Sequence, residues 1–139
     1  GIMIERVWNE IPQYYPKIEI DNICIMPNHI HGIIIIRKPQ PTGANQRVSP
    51  LVTISLSGVI QRFKTMTTKL YIDGVKQYKH KPFDKRLWQR NYWEHIIRDE
   101  SELIRITQYI KDNPANWEND SLYDSNGQKE PIIKTGIEP

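Results

Sequence analysis

Two histidines, His29 and His31, stand one residue apart in the stretch MPNHIHGIIII, which runs from Met26 to Ile36. In an extended strand alternate side chains point to the same face, so both imidazoles emerge together about 6.5–7 Å apart along the backbone. Two imidazole nitrogens in that arrangement can converge on one cation. A pattern this short also permits a second interpretation, in which two partly buried histidines hydrogen-bond to their neighbours.

Two other chemistries for the histidine pair fit the sequence less well. A histidine-triad nucleotide hydrolase would have a third histidine at position 33, where this chain has Ile33. A structural zinc site would use about four protein ligands. Neither Cys24 nor His80 has a spacing that suits this role.

Tyr109 and Asn113 form a second group of interest, because residues four apart project from one side of a helix. A phenol can attack a phosphodiester when a metal ion polarises the phosphate, and its pKa of about 10 makes that help necessary near neutral pH. Two imidazoles and one amide oxygen leave coordination positions for water and phosphate oxygens, which suits Mg²⁺ or Mn²⁺. The alternative is a tyrosine that packs its ring at a helix edge and an asparagine that ends the helix.

The histidines lie in the second of two predicted strands. The first, in KIEIDNICIMP, alternates apolar and polar residues with a break at Asp21–Asn22, which predicts a bulge or twist. Pro27–Asn28 is a turn signal, so the two strands form an antiparallel hairpin. Beyond Gly32 both faces of the second strand are apolar, which predicts that this strand is central in its sheet and covered on both sides.

Three helices and a third strand complete the pattern. Apolar spacing predicts a first helix ended by Pro12 and Pro16, and a second helix from Leu51 to Ile72 that Asp73–Gly74 stops. A third strand is predicted over 87–98 from alternation in LWQRNYWEHIIR. The last helix begins at Asp99, with Glu102 completing a variant capping box, and ends at Asn113 before a proline.

The order helix, strand, strand, helix, strand, helix predicts an α+β fold. It resembles a ferredoxin-like (RRM-like) antiparallel sandwich that lacks its first strand. We expect one domain over residues 1–119 and a polar, loosely ordered tail over 120–139. PQPTGANQRVSP, between the hairpin and the second helix, has the composition of a loop.

Composition sets the outer bounds. The 139 residues carry a formal net charge of +3 with a pI of about 9.0, which is compatible with a polyanionic partner. The single cysteine excludes an internal disulfide, and a reducing, cytoplasmic setting fits best. The longest apolar run, Ile33–Ile36, is far shorter than the roughly 20 residues of a membrane span.

MPNHIHGIIII together with NYWEHIIRDESELIRITQYIKDNPANW resembles the single-tyrosine HUH transposases, where U is a bulky apolar residue. The chain is most similar to the REP-associated tyrosine transposases of the IS200-like superfamily, whose pattern includes Met-Pro-Asn-His-U-His-Gly and Tyr-Ile-x-x-Asn-Pro. The resemblance covers roughly Ile4 to Trp117. It implies that His29 and His31 bind the metal, that Tyr109 joins covalently to a DNA 5′ phosphate, and that Asn113 is the third ligand.

The resemblance also implies metal-dependent cleavage and rejoining of single-stranded DNA beside a short hairpin. QRFKT matches the family's Phe-Lys segment, which makes Lys64 a candidate phosphate contact, and His95 matches a histidine that supports the active site or the fold. Family members normally carry a basic segment and a strand before the first helix, whereas this chain starts after them. Candidate contacts to the DNA backbone are Arg62, Lys64, Lys79, Arg86 and Arg90.

Three aromatic residues, Trp88, Tyr92 and Trp93, are candidates for stacking on bases, with packing in the core as the alternative. Two non-catalytic functions stay open. One is a nucleic-acid module that binds single strands through exposed aromatics on its sheet. The other is a truncated or domesticated transposase that binds hairpins without cutting them. Monomer and homodimer are both compatible with the sequence.

Overall fold

The structure, a computed structural model, describes residues 1–37 and 55–119. Its elements, in chain order, are α1 (Ile2–Asn9), α2 (Ile11–Tyr14), β1 (Ile18–Ile25), β2 (Ile30–Ile36), α3 (Leu56–Tyr78), α4 (Glu100–Asp112) and a 3₁₀ turn (Trp117–Asn119). The α+β class is confirmed. The predicted loop over 39–50, the predicted start of the second helix at Leu51 and the predicted tail over 120–139 lie outside the described residues. In the part of the chain described, no helix is both long and apolar enough to cross a bilayer.

The predicted antiparallel hairpin is confirmed. β1 pairs with β2 in a register that runs from Ile18 opposite Ile36 to Ile25 opposite Ile30. The register shifts between Ile20 and Ile23, at the Asp21–Asn22 break where the sequence predicts a bulge. This irregularity lets apolar residues on both sides of the break pack into the same core.

Each face of the hairpin carries a core cluster, but the predicted coverage beyond Gly32 is only partial, because Ile35 and Ile36 are exposed. The prediction that β2 is a central strand is wrong for the described sheet, in which β1 is its one neighbour. On one face, side chains of α1, α2 and α3 pack with Ile18 and Ile30 in the larger core cluster. On the other face, Ile106 and Ile110 of α4 pack on Ile33 of β2. The larger cluster also contains Val7, Trp8, Ile11, Val59, Phe63 and Trp88.

Trp8 and Gly32 make the closest approach between α1 and β2. A Cβ atom at Gly32 would lie 2.5 Å from Cη2 and 2.7 Å from Cζ2 of the Trp8 ring. The ring is 1% exposed, packs edge-on against Phe63 at 5.8 Å, and donates from Nε1 to the carbonyl of Asp21 at 3.3 Å. Because the strand lacks a side chain at this position, the indole can lie directly on its backbone.

Two predicted helix boundaries differ from the structure. Pro12 does not end the first helix but occupies the start of α2, where its missing N–H costs no hydrogen bond. α3 continues through Asp73–Gly74 to Tyr78 and ends at Lys79, whose φ of 56° is left-handed. A glycine inside a helix costs only about 1 kcal/mol relative to alanine. Gly74 makes room for the His80 ring, since a Cβ there would lie 2.8 Å from its Nδ1.

The predicted third strand over 87–98 is wrong, because the described residues of this segment form no strand. Its alternating pattern is present, but a strand needs a neighbour to accept its hydrogen bonds, and the described sheet contains only β1 and β2. A groove of about 740 Å³ separates the segment from β2, with Gly32–Ile36 on one side and residues 94–99 on the other. Isoleucines on both sides, Ile35, Ile36 and Ile96, are exposed.

We expect Gly32→Ala to destabilise the protein by about 1–3 kcal/mol, because the added methyl group would overlap the buried Trp8 ring. Urea unfolding followed by tryptophan fluorescence measures the loss. The double variant Trp8→Phe/Gly32→Ala should lose less unfolding free energy than the sum of the losses of the two single variants, since the smaller ring relieves the overlap. A Gly32→Ala variant as stable as the parent would contradict the close packing.

Candidate active site

Of the two candidate metal-binding histidines, His29 lies directly before β2 and His31 is its second residue, and both are on the side that α4 covers. His29 is 1% exposed and His31 is 5% exposed. Ile33 follows on the same face and packs against α4, whereas Ile30 points to the opposite core cluster. The alternation of side chains therefore places the two imidazoles on one face and Ile30, the residue between them, on the other, as the sequence predicts.

Asn28 orients the ring of His29. Its Oδ1 accepts a hydrogen bond from Nδ1 of His29 at 2.7 Å. Since an amide oxygen can only accept, this contact places a proton on Nδ1 of His29, and in the neutral ring the lone pair is then at Nε2. That Nε2 lies 2.9 Å from Nε2 of His31, so the two imidazoles point their nitrogens at the same place.

α4 brings Tyr109 and Asn113 to the histidines from the other side. The Tyr109 ring packs edge-on against the His31 ring, with centroids 5.6 Å apart, and the tyrosine remains 44% exposed. Asn113, one turn further along, is buried, and its Nδ2 lies 3.5 Å from Nε2 of His31. The Tyr109 side chain is therefore accessible to a ligand, whereas the Asn113 side chain is buried.

The described side chains at this site fit a divalent cation. Two nitrogen ligands at about 2.1 Å from one ion and at right angles to each other lie about 3.0 Å apart, close to the 2.9 Å between the histidine Nε2 atoms. The Oδ1 of Asn113 is buried and has no hydrogen-bond partner among the described residues. No group of three or more His, Cys, Asp or Glu side chains that could hold a metal occurs in residues 1–37 and 55–119. The Oδ1 of Asn113 could supply an oxygen ligand beside the two imidazoles.

His95 lies at the opposite end of α4 from Tyr109. Its Nε2 is 2.7 Å from Oε1 of Glu102, and Oε2 of Glu102 accepts from the backbone N–H of Arg98 at 2.9 Å. Asp99, the N-cap, accepts from the backbone N–H of Glu102 at 2.8 Å. The sequence allows His95 to support either the active site or the fold, and its contact with Glu102 is of the second kind.

The candidate DNA contacts are in different environments. Nζ of Lys64 donates to three backbone carbonyls, and the guanidinium of Arg62 stacks on the Tyr14 ring with its Cζ 3.5 Å from the centroid. The remaining three are exposed, and within the described residues none of them pairs with a carboxylate: Lys79, Arg86 and Arg90.

The candidate stacking aromatics also differ in their exposure. Trp88 belongs to the core, where its Nε1 donates to Oγ1 of Thr67 at 2.7 Å, so it offers no surface to a base. Trp93 is exposed. Cys24 is a buried free thiol whose pKa is raised by burial.

Two residues that contact His29 are not predicted by the sequence patterns. The sequence predicts Asn28 only as part of a turn, and its position directly before the first histidine is the available signal. The ring of Trp117 lies 5.9 Å from that of His29. A contact between residues so far apart along the chain leaves no local pattern in the sequence.

Hydrogen bonds at the start of α4 lower the pKa of two carboxyl groups. The backbone N–H of Arg98, followed by His95, holds the pKa of Glu102 below its ordinary value of 4.5. The Ser101 hydroxyl, followed by the backbone N–H of Glu102, lowers the pKa of Asp99 in the same way. A carboxyl group with a lowered folded-state pKa contributes stability above its unfolded pKa, and this contribution is lost as the pH falls through the folded value.

We therefore expect Glu102→Gln to be less stable than the parent protein near neutral pH, with a difference that shrinks as the pH falls below about 4.5. Urea unfolding between pH 3 and 7 measures this. Glu100→Gln is the control, because it removes the same charge from the same helical turn. A difference from the parent that stayed constant across this range would contradict the linkage.

Comparison with known proteins agrees with the motifs. The family described as "Transposase IS200 like" matches residues 4–113. An uncharacterized protein of Haemophilus influenzae is 37% identical over 134 residues, which cover 88% of this chain and 69% of that protein. A second protein of that organism, named "Putative REP-associated tyrosine transposase", is 30% identical over 106 residues, which cover 74% of this chain and 52% of that protein. No solved structure matches the chain. The family match spans both strands and every candidate site residue, and the chain belongs to the IS200-like transposase family.

Proposed function

We propose that this protein cleaves and rejoins single-stranded DNA through a 5′-phosphotyrosine intermediate. One observation carries the proposal: a half-exposed phenol, Tyr109, stands beside the buried side chains of His29, His31 and Asn113. Membership of a transposase family supports the same chemistry. The name of one relative, a REP-associated tyrosine transposase, supports a substrate that contains a hairpin.

Tyr109 is the nucleophile in this proposal. Its oxygen forms a bond to the phosphorus while the bond from phosphorus to the 3′ oxygen breaks. The downstream strand stays attached to the tyrosine through its 5′ phosphate, the phenol proton goes to solvent, and the 3′ oxygen leaves as a hydroxyl. A second 3′ hydroxyl can reverse the step and rejoin the strands, because the phosphotyrosine bond conserves the energy of the broken one.

His29, His31 and Asn113 would hold Mg²⁺ or Mn²⁺ beside the tyrosine. When bound, such a cation neutralises charge on the scissile phosphate and orients it. The protein contributes rigidity, since His31 belongs to the paired strand β2, the backbone carbonyl of His29 accepts from the N–H of Met26, and the asparagine is buried at the end of α4. Asn28 is a positioning residue, which holds His29 in the tautomer that presents Nε2.

The exposed side chains of Lys79, Arg86 and Arg90 are the proposed contacts to the DNA backbone, and they supply affinity and salt dependence rather than sequence choice. A non-catalytic module that stacks bases on its sheet has less support. The described strands carry isoleucine and histidine, and Trp88 is buried in the core.

The first experiment is a covalent-adduct assay with a hairpin-bearing single strand labelled at its 3′ end. This end stays with the fragment that carries the 5′ phosphate, so the label should appear at the position of protein plus DNA on a denaturing gel with Mn²⁺. Tyr109→Phe should abolish the band and His31→Ala should reduce it at least about tenfold. Tyr78→Phe, which alters another exposed tyrosine, should leave it unchanged.

An adduct that persists in Tyr109→Phe would contradict the assignment of the nucleophile. Hairpin binding without any adduct in the parent protein would identify a non-catalytic binder instead.

Metal binding can be measured without DNA. We expect one Mn²⁺ site by electron paramagnetic resonance or calorimetry, lost in His29→Ala. In Asn28→Ala its affinity should be about 10–100-fold weaker, because the ring of His29 is no longer held. Asn22→Ala, in the β1 irregularity, is the matched control. An Asn28→Ala variant with the affinity of the parent protein would remove Asn28 from the site.

A further inference from the structure

Lys64 of α3 contacts the backbone of residues 89–91, which lie in the segment between α3 and α4. The Nζ of Lys64 lies 2.8 Å from the carbonyl oxygen of Gln89. The carbonyl oxygens of Arg90 and Asn91 lie 3.3 Å and 3.1 Å from the same Nζ. An ammonium group has three N–H donors and no acceptor, so these three carbonyls use every donor that it has.

The surroundings of this ammonium group fit a structural role. Its Nζ lies 5.7 Å from the centroid of the Tyr92 ring, within range of a cation–π contact. Partial burial lowers the pKa of Lys64. Three residues further along α3, Thr67 accepts a hydrogen bond from the Trp88 indole. This segment is thus attached to α3 by two separate contacts, one from Lys64 to its backbone and one from the Trp88 indole to Thr67.

We propose that Lys64 is a positioning residue, which fixes the backbone of residues 89–91 against α3, and that it does not contact DNA phosphate. A phosphate could take one of its donors only by leaving a carbonyl of this segment without its present partner. The arrangement instead determines where Arg90 stands on the surface. This last consequence rests on the proposed function, in which Arg90 contacts the DNA backbone.

Trypsin tests the contact in the absence of DNA, because Arg90 is itself a cleavage site and its carbonyl is one of the three acceptors. We expect cleavage between Arg90 and Asn91 to be at least about tenfold faster in Lys64→Met, since one hydrogen bond to a charged group is already worth about that factor. Lys69→Met removes the same charge from an exposed position of α3 and should not change the rate.

Mass spectrometry of the fragments separates local release from unfolding. Release of this segment accelerates cleavage at Arg90 alone, whereas global unfolding would also accelerate it at Arg6 in α1 and Lys111 in α4. Equal cleavage rates at Arg90 in Lys64→Met and Lys69→Met would overturn the proposal.

The salt dependence of binding to a hairpin oligonucleotide provides the second test. Loss of a phosphate contact lowers the slope of log affinity against log salt by about one. For Lys64→Met we expect weaker binding by a constant factor of a few-fold, with the slope unchanged. A slope reduced by about one, with normal cleavage at Arg90, would identify Lys64 as a phosphate contact and overturn the proposal. If the parent protein bound no DNA, the proposed function would fail, while the trypsin result would still decide the role of Lys64.

Discussion

The packing of the Trp8 ring on the backbone of β2 at Gly32 is the contact on which the arrangement depends. It seats α1 against the sheet and, through Phe63, joins α3 to the same core. The indole N–H also reaches the carbonyl of Asp21, at the irregularity of β1. Because α1, α2 and α3 are thereby gathered on one face of the hairpin, the opposite face is left for α4 and the histidines.

This division between faces explains why the candidate site combines a rigid part and an accessible part. His29, directly before β2, and His31, within it, are both buried, and neighbouring side chains contact their rings. Tyr109 lies on the outer part of α4, where a large substrate can reach its hydroxyl. A cation site benefits from fixed ligands, whereas a nucleophile that attacks a DNA strand has to be open to solvent.

The segment between α3 and α4 is attached by side chains rather than by a sheet. Trp88 and Lys64 fasten its beginning to α3, while His95 and Glu102 fasten its end to the first turn of α4. Since no described strand pairs with this segment, these polar contacts act together with the packing of Ile106 and Ile110 on Ile33 to position α4. The position of Tyr109 therefore depends on residues far from the histidines that it faces.

The sequence by itself determined the hairpin, the irregularity at Asp21–Asn22, the start of α4 and the two pairs of site residues. Each of these follows from local signals: strand alternation, a capping residue, or a spacing of two or four residues. It did not determine that α3 runs past Gly74, that residues 87–98 form no strand, or that Lys64 donates to backbone carbonyls. The helix runs past Gly74 because the missing side chain leaves space for the His80 ring, and residues 87–98 form no strand because no described strand lies beside them. The carbonyls that Lys64 contacts are 25 to 27 residues away along the chain, so only the tertiary structure brings these groups together.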